Sequence, residues 1–295
     1  MLPRTRTRLR LSDGVILCGC LAILSYYVYQ INVGLGYEWS WEKIPQFFFR
    51  YDAEKGEWVS NIIMRGVYNT LRLSFWGIIL ASFFGTVMGI LRSRHRLFCK
   101  LVSGTYVELM RNIPPLVIIY IVYFFVGDQI LPGLQLSSAL EQAPESLQRV
   151  VTFCLAEPHL LTSFLAAILT ISIFEGAYIT EIVRSGIQSI DKGQLEAASA
   201  LGMSSWQLLR HVILPQAFQR ILPPLAGQFI ALIKDSSIVS VISIPELTFQ
   251  GTELMAGTLL TMEIWITITA LYLLMTLPCS LLTERLEKAM SKHRA

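Results

Sequence analysis

Three apolar segments of the chain contain ionisable side chains whose spacing could serve the passage of a charged solute. Glu108 and Arg111 are three residues apart, so a helix places them on one face, where they can pair. Glu175 lies in the middle of a second apolar segment, and Lys234 directly precedes Asp235 in a third. A charge at bilayer depth costs at least about 2.5 kcal/mol. These residues therefore indicate either a polar pathway for a charged or zwitterionic solute or an ion-pair network that holds helices together.

Backbone irregularities are predicted beside two of these charged groups. Pro114 and Pro115 remove backbone hydrogen bonds, so the helix that carries Glu108 should break or kink there. Adjacent helix residues do not face each other, so Lys234 and Asp235 should have different partners or lie where the helix loosens.

A polar stretch, residues 196–215, separates two apolar segments and is predicted to form two short helices around a break. Asp191 and Gln194 have capping-box spacing before the first helix. Gly202 can adopt the left-handed conformation that ends this helix. Such a stretch between membrane spans either transmits force to a docked partner or is a solvated connector.

The second helix of this stretch has its own start and stop signals. Ser204 and Gln207 have the spacing of a second capping box. Pro215 lacks the amide that a helix interior needs, so the helix should end or kink there.

The sequence contains no motif for an enzyme active site. It has no phosphate-binding loop, no His-Glu-x-x-His motif and no Gly-x-Ser-x-Gly motif. The five cysteines show no metal-ligand spacing, and four histidines give little scope for a metal site. We therefore expect no catalytic residue, no metal and no cofactor in this chain.

Composition predicts a membrane protein. Of the 295 residues, 53% are hydrophobic and 15% are charged, whereas a soluble domain has about 25% charged residues. Apolar stretches long enough to cross a bilayer recur along the chain. We predict an all-α membrane protein with about six transmembrane helices, near residues 14–33, 66–91, 103–127, 162–183, 222–244 and 263–283.

The basic residues predict the orientation of these helices. Cytoplasmic loops of membrane proteins carry an excess of Lys and Arg. One set of loops and both termini hold Arg4, Arg6, Arg8, Arg10, Arg92, Arg94, Arg96, Lys100, Arg184, Lys192, Arg210, Arg220, Arg285, Lys288, Lys292 and Arg294. The opposite loops hold only Lys43, Arg50, Lys55, Arg65 and Arg149. Both termini and residues 196–215 should therefore be cytoplasmic, and the net charge of +3 needs no nucleic-acid partner.

The predicted domains follow from these spans. Residues 1–65 comprise a cytoplasmic segment, an extra transmembrane helix and an outer loop, and we expect this helix to be retained because no small-residue cleavage site follows it. Residues 66–284 form the main transmembrane domain, which contains a cytoplasmic loop at 185–220. Residues 285–295 form a cytoplasmic tail.

Residues 196–215 resemble the Glu-Ala-Ala loop of importer permeases in the ATP-binding-cassette (ABC) superfamily. They read Glu-Ala-Ala, three residues, Gly, nine residues and Val-Ile-Leu-Pro, with Val212 where the family usually has Ile. We call residues 185–220 the EAA loop. Further stretches are similar to the polar amino acid permease family, at residues 68–71, 106–115, 177–184, 193–194, 215–217 and 234–237.

This resemblance implies a type I importer permease in the bacterial cytoplasmic (inner) membrane, with a five-span core and one additional N-terminal span. It also implies four kinds of partner. These are an ATPase dimer that binds ATP and Mg, a second permease subunit in a homodimer or heterodimer, a periplasmic or tethered amino-acid-binding protein, and membrane lipid.

The resemblance also implies roles for individual residues. The ATPase-coupling residues would be Glu196, Ala197, Ala198, Gly202, Leu214 and Pro215. The two alanines would permit close docking, and Glu196 would pair with a basic residue of the ATPase. The substrate pathway would include Glu108, Arg111, Glu175, Lys234 and Asp235. The acid at position 175 departs from the small or aromatic residue expected there, and it could either favour a cationic amino acid or be neutralised by a nearby Arg or Lys.

Other functions fit parts of the sequence. A proton-coupled secondary transporter would use Glu175 and Asp235, although we find no inverted repeat of the kind that many such transporters contain. An ABC permease for another small solute would have the same EAA loop. A membrane scaffold or sensor would use this loop only to dock a cytoplasmic partner.

Overall fold

The structure is a computed structural model that describes residues 11–34, 37–53, 56–94 and 96–291. In these residues the chain is mainly helical and divides into two units, Met1–Lys43 and Ile44–Ala295. The basic residues of the predicted orientation that lie outside the described residues are Arg4, Arg6, Arg8, Arg10, Lys55, Lys292 and Arg294.

The first unit contains helix α1 (Leu11–Gly34) and a short 3-10 helix, Trp41–Lys43. The rings of Trp39 and Trp41 are stacked, with their centres 5.8 Å apart. Within the described residues, the apolar stretch of α1 is Asp13–Tyr27, which is shorter than the roughly 20 residues that a bilayer requires.

The second unit begins with a short 3-10 helix, Pro45–Phe47, followed by an antiparallel hairpin of β1 (Phe49–Asp52) and β2 (Glu57–Ser60), in which Phe49 pairs with Ser60. The helices that follow are α2 (Ile62–Ser93), α3 (Leu97–Asn112), α4 (Pro115–Phe124), α5 (Leu136–Glu141), α6 (Glu145–Cys154), α7 (Leu161–Gln188), α8 (Lys192–Ala200), α9 (Ser205–Leu208), α10 (Leu214–Asp235), α11 (Leu247–Thr258) and α12 (Thr261–Ser291).

Within the described residues, five helical segments are long and apolar enough to cross a membrane. They are Ile62–Ser93, Pro115–Leu134, Pro158–Gln188, Ser205–Ile242 and Thr261–Met290. These segments correspond to the second to sixth predicted spans. The predicted all-α membrane architecture is confirmed.

The third predicted span, residues 103–127, is divided in two. Helix α3 ends at Asn112, and the extended backbone of Ile113 and Pro114 leads into α4 at Pro115. Pro115 occupies the first helical position, where its missing amide costs no hydrogen bond. The predicted break is therefore confirmed. Glu108 and Arg111 belong to α3, and the candidate span found by length and composition begins after them, at Pro115.

The fifth predicted span, residues 222–244, begins earlier than expected. The helical path runs from Ser205 to Ile242 and passes through Pro215. A π-helical turn, Leu209–Ile213, precedes this proline, and Pro215 lies in the first turn of α10, where a proline is tolerated. The helix therefore does not end at Pro215.

Besides a small cluster of Ala81, Ile179 and Val183, two larger apolar clusters form the core of the second unit. One joins α2, α4, α7 and α10 and includes Leu73, Ile119, Phe164, Ile168, Ile171 and Leu232. The other joins α2, α11 and α12 and includes Ile63, Leu247, Leu254, Ile264 and Ile268. Helix α2 contributes to both clusters and so connects the two parts of the bundle.

Helices α2 and α7 approach each other closely along a row of small residues. Gly77, Ala81, Gly85 and Gly89 recur every fourth position of α2 and are all buried. A Cβ atom on Gly85 would lie 2.6 Å from the Cβ of Ile179, and one on Gly89 would lie 2.6 Å from that of Val183. Small residues allow this approach in lipid, where van der Waals packing is a main source of helix association.

We predict that Gly85→Ala destabilises the helix pair. The added methyl group would also lie 2.9 Å from the carbonyl oxygen of Gly176, so the backbone must move. Overpacking of this kind costs about 1–3 kcal/mol. Thermal unfolding in detergent should show a lower midpoint for this variant, whereas Gly104→Ala on α3 should not, because nothing lies within 4 Å of its new methyl group. An unchanged midpoint for Gly85→Ala would mean that the two helices are not in close contact.

Candidate functional site

Helices α7 and α10 bring two of the predicted acids together inside the bundle. Glu175 is fully buried, accepts a hydrogen bond at Oε2 from Gln228 and has the carboxyl group of Asp235 beside it. Its Oε1 atom has no hydrogen-bond partner among the described residues. We call Glu175, Gln228 and Asp235 the Glu175 cluster.

Sequence reasoning missed Gln228, although a signal for it exists. Gln228 lies two helical turns before Asp235 and therefore on the same face of α10. A polar residue at that spacing in an apolar helix could have been assigned to the same cluster.

Lys234 does not join the Glu175 cluster. It is exposed, and among the described residues it forms no ion pair, whereas Asp235 is half-buried. Helix α10 ends at Asp235 and continues as a 3-10 helix, Ser236–Ile242. The expectation that these neighbours lie where the helix loosens is therefore confirmed.

The expected ion pair between Glu108 and Arg111 is wrong. Glu108 accepts a 2.8 Å hydrogen bond from Asn112, and its other oxygen lies 3.9 Å from Arg92 Nη2. The guanidinium carbon of Arg111 lies 5.5 Å from the centre of the Tyr178 ring. Because α3 packs against α2 and α7, each side chain has partners that spacing along α3 alone does not reveal.

A network of ion pairs joins α2 and α7 at the ends nearest the EAA loop. Glu181 Oε1 lies 3.1 Å from Arg92 Nε, and Glu181 Oε2 lies 2.8 Å from Arg184 Nη2. Both oxygens of Glu181 therefore have a cationic neighbour. The charges of Arg92 and Glu181 therefore serve to hold α2 and α7 together.

The EAA loop contains the two predicted helices, α8 and α9, and their predicted signals. Asp191 caps α8 by accepting a 2.7 Å hydrogen bond from the Gly193 amide. Gly202 has a φ of 76°, the left-handed conformation expected for it. Ser204 and Gln207 form the predicted reciprocal capping box before α9.

The capping box predicted at Asp191 is only half formed, because Gln194 points to a neighbouring helix. Gln194 Oε1 accepts a 2.5 Å hydrogen bond from Gln216 on α10. Arg220 on α10 also donates to the backbone carbonyl of Ser189, at the end of α7. These two hydrogen bonds connect α8 and the end of α7 to the start of α10.

The six predicted coupling residues have different environments. The exposed ones are Glu196, Ala197, Gly202, Leu214 and Pro215. Ala198 is buried against its own chain and offers no contact surface there. Glu196 forms no hydrogen bond or ion pair with another described side chain.

Two large apolar side chains of the EAA loop were not predicted as part of its surface. Leu201 is 83% exposed and Trp206 is 63% exposed, although both lie in a short polar segment. They flank Gly202, where α8 ends and α9 is about to begin. Large apolar residues within a polar stretch could have indicated a contact surface.

Sequence reasoning also missed Glu246, a fully buried acid that joins α2, α11 and α12. Its Oε1 accepts from the Phe249 amide at 2.7 Å, and its Oε2 accepts from the Thr248 amide and the Tyr272 hydroxyl, each at 2.9 Å. Burial raises the pKa of Glu246 to about 7, although these hydrogen bonds oppose the shift. Glu246 occupies the N-cap position of α11, and a carboxyl group at that position could have indicated that it caps the helix.

We predict that Glu246 makes stability depend on pH. Between pH 4.5, the ordinary pKa of this carboxyl group, and about pH 7, Glu246 keeps a proton in the folded protein that it has released in the unfolded chain. Stability should therefore fall as the pH rises through this window. Thermal unfolding in detergent from about pH 5 to about pH 8 should show this decline in the wild type and less of it in Glu246→Gln.

The control for this measurement is Glu253→Gln, which changes an exposed acid on α11 and should retain the wild-type decline. The same decline in Glu246→Gln would exclude Glu246 as its source.

A known protein family matches most of the chain. The family described as "binding-protein-dependent transport system inner membrane component" matches residues 56–293. The glutamine transport system permease protein GlnP of Escherichia coli (strain K12) is 36% identical over 229 residues, which are 78% of this chain and 93% of GlnP. The probable glutamine ABC transporter permease protein GlnM of Bacillus subtilis (strain 168) is 31% identical over 232 residues, which are 79% of this chain and 94% of GlnM.

Solved structures have the same fold. A chain in a crystal structure described as an amino acid ABC transporter with histidines is 31% identical and has a TM-score of 0.61, covering 77% of this chain and 94% of its own length. A chain of the MetNI methionine ABC transporter in an inward-facing conformation is 19% identical, with a TM-score of 0.58 over 78% of this chain and 96% of its own. At this lower identity the second comparison concerns the fold alone.

Proposed function

The chain belongs to the family of inner membrane components of binding-protein-dependent transport systems, and on that premise we propose that it is the permease subunit of an ATP-driven ABC importer for polar amino acids. The observation that carries the coupling part of this proposal is the exposed surface of the EAA loop. The amino-acid cargo is suggested by the relatives, which are named for glutamine transport.

A docked ATPase would cover the exposed apolar part of the EAA loop. Burial of apolar surface stabilises a complex by about 25 cal/mol per Å², and tryptophan is often among the residues that contribute most to an interface. Leu201 and Trp206 offer such surface beside Glu196, which is free to pair with a basic residue of the ATPase. The loop would therefore combine an apolar contact with a charge.

The same loop is built to transmit movement to the spans. The caps of α8 and α9 stabilise the two helices, and the Gln194–Gln216 and Arg220–Ser189 hydrogen bonds connect α8 and the end of α7 to α10, which continues into a span. If the ATPase binds the loop differently in its two nucleotide states, it shifts the spans between inward-open and outward-open states. This is the alternating access that we propose.

Further partners complete the transporter. ATP and Mg would be bound by the ATPase dimer, a second permease subunit would form the other half of the pathway, and a periplasmic or tethered binding protein would deliver the amino acid. In this arrangement the EAA loop and both termini face the cytoplasm. Exposed apolar side chains of the spans, such as Phe83 and Leu273, would contact lipid or the second subunit.

The Glu175 cluster is the part of the predicted pathway best suited to a zwitterion. The Oε1 atom of Glu175 is buried without a hydrogen-bond donor among the described residues, and a substrate ammonium group would supply one. Arg111, above the Tyr178 ring, provides a cation for the carboxylate of the substrate. Every α-amino acid carries an ammonium group, so Glu175 does not require a cationic side chain on the cargo.

We predict that Glu196→Lys uncouples ATP hydrolysis from transport. The substitution reverses the charge that would face a basic residue of the ATPase. In proteoliposomes with the ATPase and binding protein, uptake per ATP hydrolysed should fall at least about tenfold, the value of a lost charged hydrogen bond. Glu287→Lys makes the same charge change on α12 outside the EAA loop and should leave this ratio unchanged. Wild-type coupling in Glu196→Lys at a normal membrane level would exclude the coupling role of Glu196.

We predict that Glu175→Gln weakens uptake of the cargo. Loss of the charge-assisted hydrogen bond to the substrate ammonium should raise the half-saturating concentration at least about tenfold. Glu253→Gln changes an exposed acid of α11 and should have no effect. If Glu175→Gln transports every substrate as the wild type does, the cluster is structural.

Co-purification followed by ATPase measurements with a panel of amino acids tests the proposal as a whole. We expect the chain to purify with an ATPase whose activity rises when the binding protein and a polar amino acid are added. A complex that responds only to other small solutes would retain the permease assignment and overturn the amino-acid cargo.

A further inference from the structure

A cavity of about 280 Å³ lies where the N-terminal part of α2, the segment before α7 and the start of α11 meet. Its polar lining includes Arg65, Asn69, Arg72, Glu157, His159 and Gln250. We call it the outer cavity, because the predicted orientation places Arg65 on the outer side of the membrane. It has no lining residue in common with the Glu175 cluster.

One wall of the outer cavity is a single face of α2. Arg65, Tyr68, Asn69 and Arg72 occupy positions i, i+3, i+4 and i+7, which lie on one side of a helix. This spacing directs both guanidinium groups to the same space. The wall is therefore cationic.

Neither arginine of this wall lies within ion-pair distance of a carboxylate of the described residues, although Glu157 is near enough to interact electrostatically with Arg72. Arg65 donates to a backbone carbonyl at 3.3 Å and Arg72 to the side-chain oxygen of Asn69 at 3.3 Å, and neither forms an ion pair with a described residue. By contrast, Arg92 of α2 and Arg184 of α7 are both paired with a glutamate. The remaining N–H groups of Arg65 and Arg72 can bind a carboxylate in the forked geometry that guanidinium groups favour.

The opposite wall of the outer cavity carries an acid. Glu157 precedes α7, and its Oε2 lies 3.7 Å from Nδ1 of His159. A cationic wall facing a carboxylate is complementary to a zwitterion. The volume lies near the lower limit of ligand pockets, about 300 Å³, so it suits a single small molecule better than a protein segment.

We propose that the outer cavity is a second binding site for a free L-α-amino acid, whose carboxylate binds Arg65 and Arg72 and whose ammonium group lies at Glu157. The inference rests on the proposed function, since an importer would receive its cargo at this side from a binding protein. The site would hold the amino acid before it reaches the Glu175 cluster.

A cysteine placed in the cavity tests this site locally. Thr152 lines the cavity, and Thr152→Cys would be introduced after the native cysteines are replaced by serine. The rate at which a small thiosulfonate reagent labels this cysteine would be measured in the detergent-purified complex, without binding protein, with each of the standard L-amino acids in turn except cysteine, whose thiol would consume the reagent. We expect at least one polar amino acid to slow labelling and its carboxamide derivative, which lacks the carboxylate, to have no effect.

Variants of the arginines connect this protection to the proposed contacts. Arg72→Gln should raise the half-protecting concentration at least about tenfold, since a hydrogen bond to a charged group is lost. Arg72→Lys should restore part of the protection, because it keeps the charge. Arg149→Gln is the matched control, because Arg149 is an exposed arginine of α6 that pairs with Glu145 and does not line the cavity. If Arg72→Gln does not purify as a folded protein, Arg65→Gln serves in the same assay.

Two results would overturn the proposal. One is the absence of protection by any amino acid. The other is that no amino acid protects the cysteine, whereas the binding protein alone does. In that case the arginines would bind an acidic side chain of the binding protein. Labelling does not require transport, so the two proposals can fail separately. Protection of the cysteine without amino-acid-stimulated ATPase activity would support the binding site and contradict the proposed importer function. Stimulated ATPase activity without protection would support the importer function and contradict the binding site.

Discussion

Close contact between α2 and α7 is the constraint on which the rest of the structure depends. Lipid provides no hydrophobic driving force between helices, so their surfaces must fit each other. The row of Gly77, Ala81, Gly85 and Gly89 leaves space for Ile179 and Val183 of α7. This fit fixes the position of α7, and α7 carries both the buried Glu175 and the ion-paired Glu181.

The two acids of α7 have opposite surroundings, which explains their different proposed roles. Glu181 has a cation at each oxygen and joins helices. Among the described residues, Glu175 has an amide donor at one oxygen and no hydrogen-bond donor at the other. A buried polar atom without a partner destabilises the fold by about 1–3 kcal/mol, so a ligand that satisfies it gains that energy on binding. Because α7 leads directly into the EAA loop, a movement of the loop would reach this acid through one helix.

Features set by local chemistry could be predicted from the sequence, and features set by neighbouring helices could not. Gly202, the Ser204–Gln207 capping box and the break after Asn112 depend on a few adjacent residues and were predicted. The resemblance to importer permeases is confirmed, because its motifs are local too. The partners of Glu108 and Gln194 were wrongly predicted because they are partly on other helices. Glu246 was missed because its burial depends on how α2, α11 and α12 meet.

Uptake of a labelled polar amino acid into proteoliposomes tests the account most directly. The vesicles would contain this chain with its co-purified ATPase, with ATP on the side of the ATPase and the binding protein on the other. We predict uptake that requires ATP and the binding protein and that continues when a proton ionophore is added. Uptake that persists without ATP and stops with the ionophore would contradict the account and identify a proton-coupled transporter instead.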